Sequence, residues 1–186
     1  MYKKKINEIR KIVKELAERE DWKFHILPVV EYSKRLAKEL KVNEEIAELA
    51  ALLHDIGRIK FGGKNHHITG AKEAEKILKK YKFEKEIIKE IKHCIESHRG
   101  ATNIKPKTKL AKIIANADVM AHFDNFLVLV YYGAQRKFGY EETIEWLNKK
   151  IERDWKKKLT LPQAKRMVKE KYKAIKLLLN STRKYI

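Results

Sequence analysis

The most constraining feature of this 186-residue sequence is a short apolar segment that ends abruptly in polar side chains. Ile46 to Leu53 contains one charged residue, Glu48, and is followed directly by His54 and Asp55. Asn43 and two glutamates precede the segment, which is typical of a helix start because an Asn side chain caps the first turn and acidic groups complement the helix dipole. A helix that is apolar on most sides is buried. The ionised carboxylate at its end therefore requires a hydrogen-bonded cation or a metal ion as partner.

Apolar residues recur at three- and four-residue spacing along most of the chain, which predicts a series of amphipathic helices. The first helix has its stripe within Ile6–Leu16, the pattern is expected to break at Asp21 and Trp22, and His25 follows at the mouth of a second helix. Seven or eight helices with little or no sheet predict an all-α helical bundle. We expect a single domain over residues 1–186, with a motif-bearing core at about 21–122 and basic C-terminal helices at 141–186 packed on it.

Three local expectations follow from composition. The three glycines between Gly57 and Asn65 predict a loop, since glycine permits turns and close backbone approach. Phe126–Tyr132 resembles a strand in composition but has no hairpin partner, so a buried helix is the better interpretation. The last helix is expected to dock through a stripe that includes Ile175 and Leu178. Four of its lysines are expected to face solvent, namely Lys165, Lys169, Lys173 and Lys176.

The chain is strongly basic, with 44 Lys and Arg against 25 Asp and Glu and a formal net charge of +19. Between Lys149 and Lys184 there are 14 basic and three acidic residues, which places +11 of that charge near the C-terminus. Such a surface favours anionic partners, namely nucleotides, nucleic acid or anionic lipid. The alternative is simple solubility, or the Lys and Glu richness of proteins from hot environments. The single cysteine, Cys94, excludes an internal disulfide, and with no signal peptide or membrane-spanning run we expect a cytoplasmic protein without a membrane partner.

Metal-competent side chains fall at helix ends or at inward-facing positions in several parts of the chain. In order they are His25, His54, Asp55, His66, His67, His98 and Asp118. Taken alone, the His54-Asp55 dipeptide is better explained by local hydrogen bonds, because short matches are frequent by chance. The full set of seven residues makes a metal site the better interpretation. Imidazole nitrogens with carboxylate oxygens suit a divalent transition metal, manganese, iron, cobalt, nickel or zinc, better than calcium.

This order resembles the H…HD…D signature of the HD superfamily of metal-dependent phosphohydrolases, over roughly residues 21–122. The residues around the pair are similar to the family motif; they read Ala50-Ala51-Leu52-Leu53-His54-Asp55-Ile56-Gly57. The resemblance implies an all-α fold and a metal site whose ligands are His25, His54, Asp55 and Asp118. It also implies that His66 and His98 are second-metal ligands, with magnesium as an alternative ion there, or contacts to a substrate phosphate. The register leaves open whether His66 or His67 is the active-site histidine.

The resemblance further implies that a metal-activated water hydrolyses a phosphate ester or phosphoanhydride of a nucleotide or other small phosphorylated substrate. Fixed positive groups are needed for the charge that develops on phosphate oxygens. The expected phosphate-binding residues are Arg58, Lys60, Lys64 and His67. Two alternatives remain: a basic protein that binds nucleic acid, which is the less favoured partner, and a non-catalytic ligand-binding protein on the HD fold. The sequence does not specify the substrate or the oligomeric state.

Overall fold

The structure is a computed structural model that describes residues 1–99, 104–135 and 139–183, and every regular element within these ranges is helical. The all-α prediction is therefore confirmed. Residues 184–186 of the expected basic C-terminal segment lie outside the described residues. In chain order the elements are α1 (Lys3–Leu16), α2 (Arg19–Asp21), a π-helical turn (Trp22–Ile26), α3 (Leu27–Glu39), α4 (Glu44–Leu53), α5 (Ile56–Phe61), α6 (His66–Lys80), α7 (Lys85–Ser97), α8 (Lys109–Asp124), α9 (Phe126–Gln135), α10 (Tyr140–Arg153), a second π-helical turn (Asp154–Lys158) and α11 (Pro162–Arg183).

Helices α4 and α8 form the centre of the bundle. α3 packs against both of them, and α7 closes the other side. The run Leu49–Leu53 of α4 is completely buried, as its composition predicts. The predicted cap is also present, because the backbone N–H of Ile46 donates to the side-chain oxygen of Asn43 at 3.1 Å. The end of α4 consequently delivers its polar residues into the middle of the protein.

The C-terminal helix α11 packs against α8, and one buried side chain fixes its start. The Oδ1 atom of Asn116 accepts hydrogen bonds from the backbone N–H groups of Thr160 and Leu161 at 2.9 and 3.1 Å, while its Nδ2 donates to the Thr160 hydroxyl at 3.0 Å. This contact joins the C-terminal helices to a motif-bearing helix. The organisation of the chain as a single domain stays a prediction.

The predicted stripe of α11 is wrong at one position. Leu178 is 60% exposed, whereas the next residue, Leu179, is 3% exposed and packs inward. The helical repeat of 3.6 residues carries the stripe from Ile175 to Leu179. Two of the four lysines are also only half-exposed. Lys176 contacts Asn148 and Glu152, in each case at 3.0 Å, and Nζ of Lys165 lies 5.7 Å from the ring centre of Trp155.

Two predicted interruptions near the motif residues are wrong. Asp21 and Trp22 do not break the helix; α2 continues through the π-helical turn into α3. His25 therefore lies inside a continuous helical segment, in the widened turn. Likewise, residues 57–61 are not loop but form α5, because the buried Ile56 and half-buried Ile59 continue the apolar face beyond the motif. The loop is restricted to residues 62–65.

Helix α9 is helical as predicted but it is not buried. Leu127 is 77% and Tyr131 57% exposed, and of this helix only Leu129 and Gly133 are buried. Among the described residues no single helix is long and apolar enough to cross a membrane. Lys109–Asp124 and Phe126–Gln135 reach that length and composition only when they are combined, and they are bent by 79° at their junction.

Candidate metal centre

Four residues that are far apart in the sequence meet at the end of α4. The Nε2 atom of His25 lies 3.1 Å from Nε2 of His54, 3.3 Å from Oδ2 of Asp55 and 3.4 Å from Oδ1 of Asp118. His54 Nε2 lies 3.8 and 3.9 Å from the same two carboxylate oxygens. The π-helical turn supplies His25, the end of α4 supplies the pair, and α8 supplies Asp118. The structure thus brings together all four predicted ligands.

His66 and His98 approach the other oxygen of the same carboxylate. Their Nε2 atoms lie 3.5 and 3.6 Å from Oδ1 of Asp55. Asp55 therefore lies between two groups of donor atoms, one with His25 and His54 and the other with His66 and His98. In each group of three the donor atoms lie within 4.8 Å of one another, as is also true of His25, Asp118 and His122.

The tautomers of three histidines fit a divalent cation. In His54, His66 and His98 the Nδ1 atom lies 2.7, 2.9 and 2.6 Å from the carbonyl oxygen three residues earlier in the chain. A carbonyl oxygen only accepts hydrogen bonds, so Nδ1 carries the proton and Nε2 of the neutral ring keeps its lone pair toward Asp55. Metal-binding histidines are typically oriented by a second hydrogen bond of this kind. The donor set can therefore hold a divalent cation.

Burial and charge act differently on the individual groups of the site. Burial lowers the pKa of His54 to about 4, which keeps the ring neutral. Burial alone would raise the pKa of Asp118, but the surrounding histidines, His122 and His25 first among them, lower it to about 2. In the same way, the imidazole rings around Asp55 outweigh burial and hold the pKa of this carboxylate well below its usual range. Burial would lower the pKa of His25 and His98, but hydrogen bonding to Asp55 raises the pKa of both rings. Two ionised carboxylates thus draw positive charge, whether protons or a cation, to the centre of the site.

Arg58 lies beside this cluster but is held by carboxylates. Its Nε donates to Oδ2 of Asp55 at 2.7 Å, and its Nη1 donates to Oδ2 of Asp21 at 2.8 Å. The side chain is partly buried and lines the adjacent cavity. Arg58 therefore orients a predicted ligand, and contact with a phosphate stays a prediction.

Three other expected phosphate-binding residues do not reach the cavity. Lys60 pairs with Glu73 at 2.5 Å, since the helical course of α5 turns it toward α6. Lys64 is exposed, and His67, whose ring lies edge-on to that of His66 with centroids 6.3 Å apart, is not among the residues that line the cavity. The structure selects His66 over His67 as the histidine at the cluster, because Nε2 of His66 approaches Asp55 and only His66 lines the cavity.

A cavity of about 670 Å³ opens beside the cluster. One side carries five of the clustered residues, and the other side is formed by α9, α10 and the second π-helical turn. The sequence did not identify the lining residues from these later elements. They include the aromatic side chains Tyr132 and Trp146 and the cations Lys150, Arg153 and Lys158. The concentration of basic residues near the C-terminus was the available signal, but it did not show which of them turn inward.

His122 was also not predicted as part of the site. It lines the cavity, its Nδ1 lies 3.0 Å from Oδ2 of Asp154, and its ring stacks on His25 with centroids 6.1 Å apart. It lies four positions after Asp118 in α8, and this spacing places both on one face of the helix. That spacing is the sequence signal that could have identified it.

Solved structures with a similar fold cover nearly the whole chain. An HD-superfamily hydrolase from Bacillus thuringiensis aligns with a TM-score of 0.73 at 20% identity, covering 100% of this chain and 98% of the other. A predicted HD superfamily hydrolase from an uncultured Thermotogales bacterium aligns with a TM-score of 0.64 at 22% identity, covering 97% and 92%. At these identities the likeness shows the fold alone.

Curated relatives match over a smaller part of their length. Ribonuclease Y of Symbiobacterium thermophilum is 30% identical over 131 residues, which is 69% of this chain and 21% of the relative. A tRNA (cytidine(56)-2'-O)-methyltransferase of Picrophilus torridus is 29% identical over 119 residues, 56% of this chain and 33% of the relative. The chain therefore spans between about a fifth and a third of the length of these relatives.

The family model of the HD domain matches residues 24–122, which is just over half of the chain and contains every residue of the cluster from His25 to His122. The resemblance seen in the sequence is thereby confirmed, and the chain belongs to the HD domain family.

Proposed function

We propose that this protein is a metal-dependent phosphohydrolase that acts on a nucleotide or another small phosphorylated substrate. The observation that carries the proposal is the set of three histidines whose Nδ1–H groups bond to backbone carbonyls and whose Nε2 atoms converge on Asp55 beside a cavity. Nitrogen atoms that converge in this way have little use in a purely structural core, where a buried polar group needs a partner.

The proposed ligands fall into two groups that share Asp55. His25, His54 and Asp118 complete one group, and His66 and His98 complete the other. A divalent cation bound there would lower the pKa of water toward neutrality and polarise a phosphoryl oxygen. The mixture of imidazole and carboxylate favours manganese, iron, cobalt, nickel or zinc, with magnesium as an alternative in the second group.

Other side chains position these ligands and shape the cavity. Arg58 fixes one oxygen of Asp55 through its Nε–H, and the Nδ1–H bonds hold the ring planes of the histidines. The aromatic rings of Phe24, Tyr132 and Trp146 also line the cavity, where a nucleobase could pack against them. A cavity of about 670 Å³ falls within the usual range for small-molecule sites.

A second candidate is cleavage of RNA. Two observations favour it, the similarity to proteins named ribonuclease Y and the net charge of +19. Against it, the cations nearest the cluster line a concave cavity instead of forming an exposed groove. Small phosphorylated substrates therefore remain the preferred proposal, and a cytoplasmic location stays part of it.

The proposal is tested by metal analysis of purified protein together with phosphate release from a nucleotide panel supplied with manganese, cobalt or nickel. We expect Asp55→Asn to lose both bound metal and turnover, because both ligand groups use this carboxylate. Adjacent histidines provide a matched pair: His66→Gln should lower metal content and activity, whereas His67→Gln should leave both near the wild-type level. Equal effects of the two substitutions, or full metal content in Asp55→Asn, would contradict the assignment.

A further inference from the structure

A buried carboxylate on the second π-helical turn lies at the centre of three of the cations that face the cavity. Asp154 is completely buried. Its Oδ2 lies 3.1 Å from Nζ of Lys150 and 3.0 Å from Nδ1 of His122, while its Oδ1 lies 3.5 Å from Nε of Arg153 and 3.4 Å from Nζ of Lys158. We call Lys150, Arg153 and Lys158, which all line the cavity, the cationic wall.

The cationic wall carries more positive charge than its anchor neutralises. Three basic side chains surround one carboxylate, so a local surplus of two positive charges remains when all of them are charged. Burial and the charge of Lys158 together lower the pKa of Lys150 despite its contact with Asp154. Of the other acids that line the cavity, Asp21, Asp55 and Asp118 belong to the cluster or pair with Arg58, and Glu20 is exposed. A surplus of positive charge beside a buried carboxylate is stabilised by an anionic ligand.

Two members of the wall are able to reach a ligand. The side chain of Arg153 is 53% exposed and that of Lys158 22% exposed, and both face the same oxygen of Asp154 at ion-pair distance. That oxygen accepts no hydrogen bond among the described residues. Neither cation therefore has to break a hydrogen bond to Asp154 in order to donate one to a ligand.

The cationic wall and the cluster of predicted metal ligands line the same cavity. The ring of His122 separates them, with His25 stacked on one side and Asp154 bonded on the other. One imidazole ring is a short distance compared with the length of a nucleotide. A molecule with one phosphate at the cluster would place an adjoining anionic group against the wall.

We infer that Arg153 and Lys158, held in place by Asp154, bind a second phosphate of the substrate, so that the preferred substrates contain a phosphoanhydride, as nucleoside diphosphates and triphosphates do. This inference rests on the proposed phosphohydrolase function. Guanidinium and ammonium groups are the side chains best suited to phosphate oxygens, and a preorganised pair loses little freedom on binding. In the reaction a water oxygen bonds to the phosphorus at the cluster, the P–O bond to the bridging oxygen breaks, and the leaving phosphate takes the electron pair while the water's proton passes to a product phosphate or to solvent. The added negative charge of the leaving phosphate would be met by the wall.

The test compares adenosine mono-, di- and triphosphate as substrates in the presence of manganese. We expect the wild-type kcat/KM to be at least about tenfold higher for the di- and triphosphate than for the monophosphate, since one charge-assisted hydrogen bond is worth about tenfold or more. The double variant Arg153→Gln and Lys158→Gln should lose that preference, mainly through KM. Lys156→Gln together with Lys157→Gln is the matched control, because this pair removes the same two charges from the same turn at exposed positions outside the cavity. An unchanged preference in the double variant would refute the inference.

A binding measurement separates this inference from the proposed function. Calorimetry with inorganic pyrophosphate and inorganic phosphate should show tighter binding of pyrophosphate by at least tenfold in the wild type, and the double variant should bind the two alike. If no nucleotide is hydrolysed, a nucleotide is not the substrate of the proposed phosphohydrolase, and the calorimetry still decides the role of the wall. Equal wild-type affinities would overturn the inference. Faster cleavage of single-stranded RNA than of any nucleotide, lost in the same double variant, would also overturn it, because the wall would then bind successive phosphodiesters.

Discussion

The contact between α5 and α6 offers the sharpest test of how the site is built. Gly57 follows the His54-Asp55 pair, and a Cβ atom added to it would lie 2.1 Å from the carbonyl oxygen of His66 and 2.5 Å from the backbone nitrogen of Gly70. Ordinary contacts of a Cβ atom lie at 3.4–4 Å, so the two helices would have to separate by more than 1 Å. Both obstructing atoms belong to the backbone and cannot rotate away as a side chain would.

Gly57→Ala should therefore destabilise the protein by about 3 kcal/mol or more, at or beyond the upper end for overpacked interiors. For a chain of this length that corresponds to a fall in Tm of roughly 6–12 °C. The separation also moves His66 relative to Asp55, so metal affinity should fall in the folded variant. Chemical unfolding and thermal melting measure the first effect, and metal titration measures the second.

Two other glycines complete the series. Gly70→Ala meets atoms at 3.1 and 3.2 Å, so a smaller loss of about 1 kcal/mol is expected. Gly63→Ala meets nothing within 4 Å and should change stability by less than about 0.5 kcal/mol. If Gly57→Ala unfolds at the same denaturant concentration as Gly63→Ala, the close approach of α5 and α6 is refuted.

Three further predictions concern single side chains. Arg58→Ala should reduce metal affinity by about 10- to 100-fold in equilibrium titration, because the variant loses a hydrogen-bond donor to a ligand carboxylate; wild-type affinity would assign Arg58 to the substrate alone. Asn116→Ala should lower the free energy of unfolding by about 2 kcal/mol, because two backbone N–H groups at the start of α11 lose their acceptor. A loss under about 0.5 kcal/mol in urea unfolding would be inconsistent with this role of Asn116. Burial would raise the pKa of Asp154, but hydrogen bonding to His122 and the cationic neighbours lower this pKa below its ordinary value. The stability that the ionised carboxylate contributes is therefore complete above about pH 4 and is lost as the pH falls through the folded pKa. Asp154→Asn should accordingly flatten the fall in stability between about pH 4 and pH 2, and an unchanged slope would show that this carboxylate is not stabilised in the fold.

The sequence alone was sufficient for much of the helical architecture. The apolar run of α4, its Asn43 cap and the periodic stripes are properties of neighbouring residues, and local geometry converts them directly into helices. For the helices, the information lies within one or two helical turns. The order of His25, His54, Asp55 and Asp118 also indicated the family, because four matched positions in the correct order are unlikely to occur together by chance.

The tertiary structure decided which of the polar residues share a site. His66 and His67 are equivalent in composition, and only the packing of α6 against α5 brings one of them to Asp55. The π-helical turn at His25 and the inward direction of Lys158 have no distinct pattern in the sequence. Helical periodicity specifies a side chain's direction relative to its own helix axis, whereas the site requires atoms from different helices to meet within about 4 Å. That distance depends on how whole helices pack, which is determined by contacts between residues far apart in the chain.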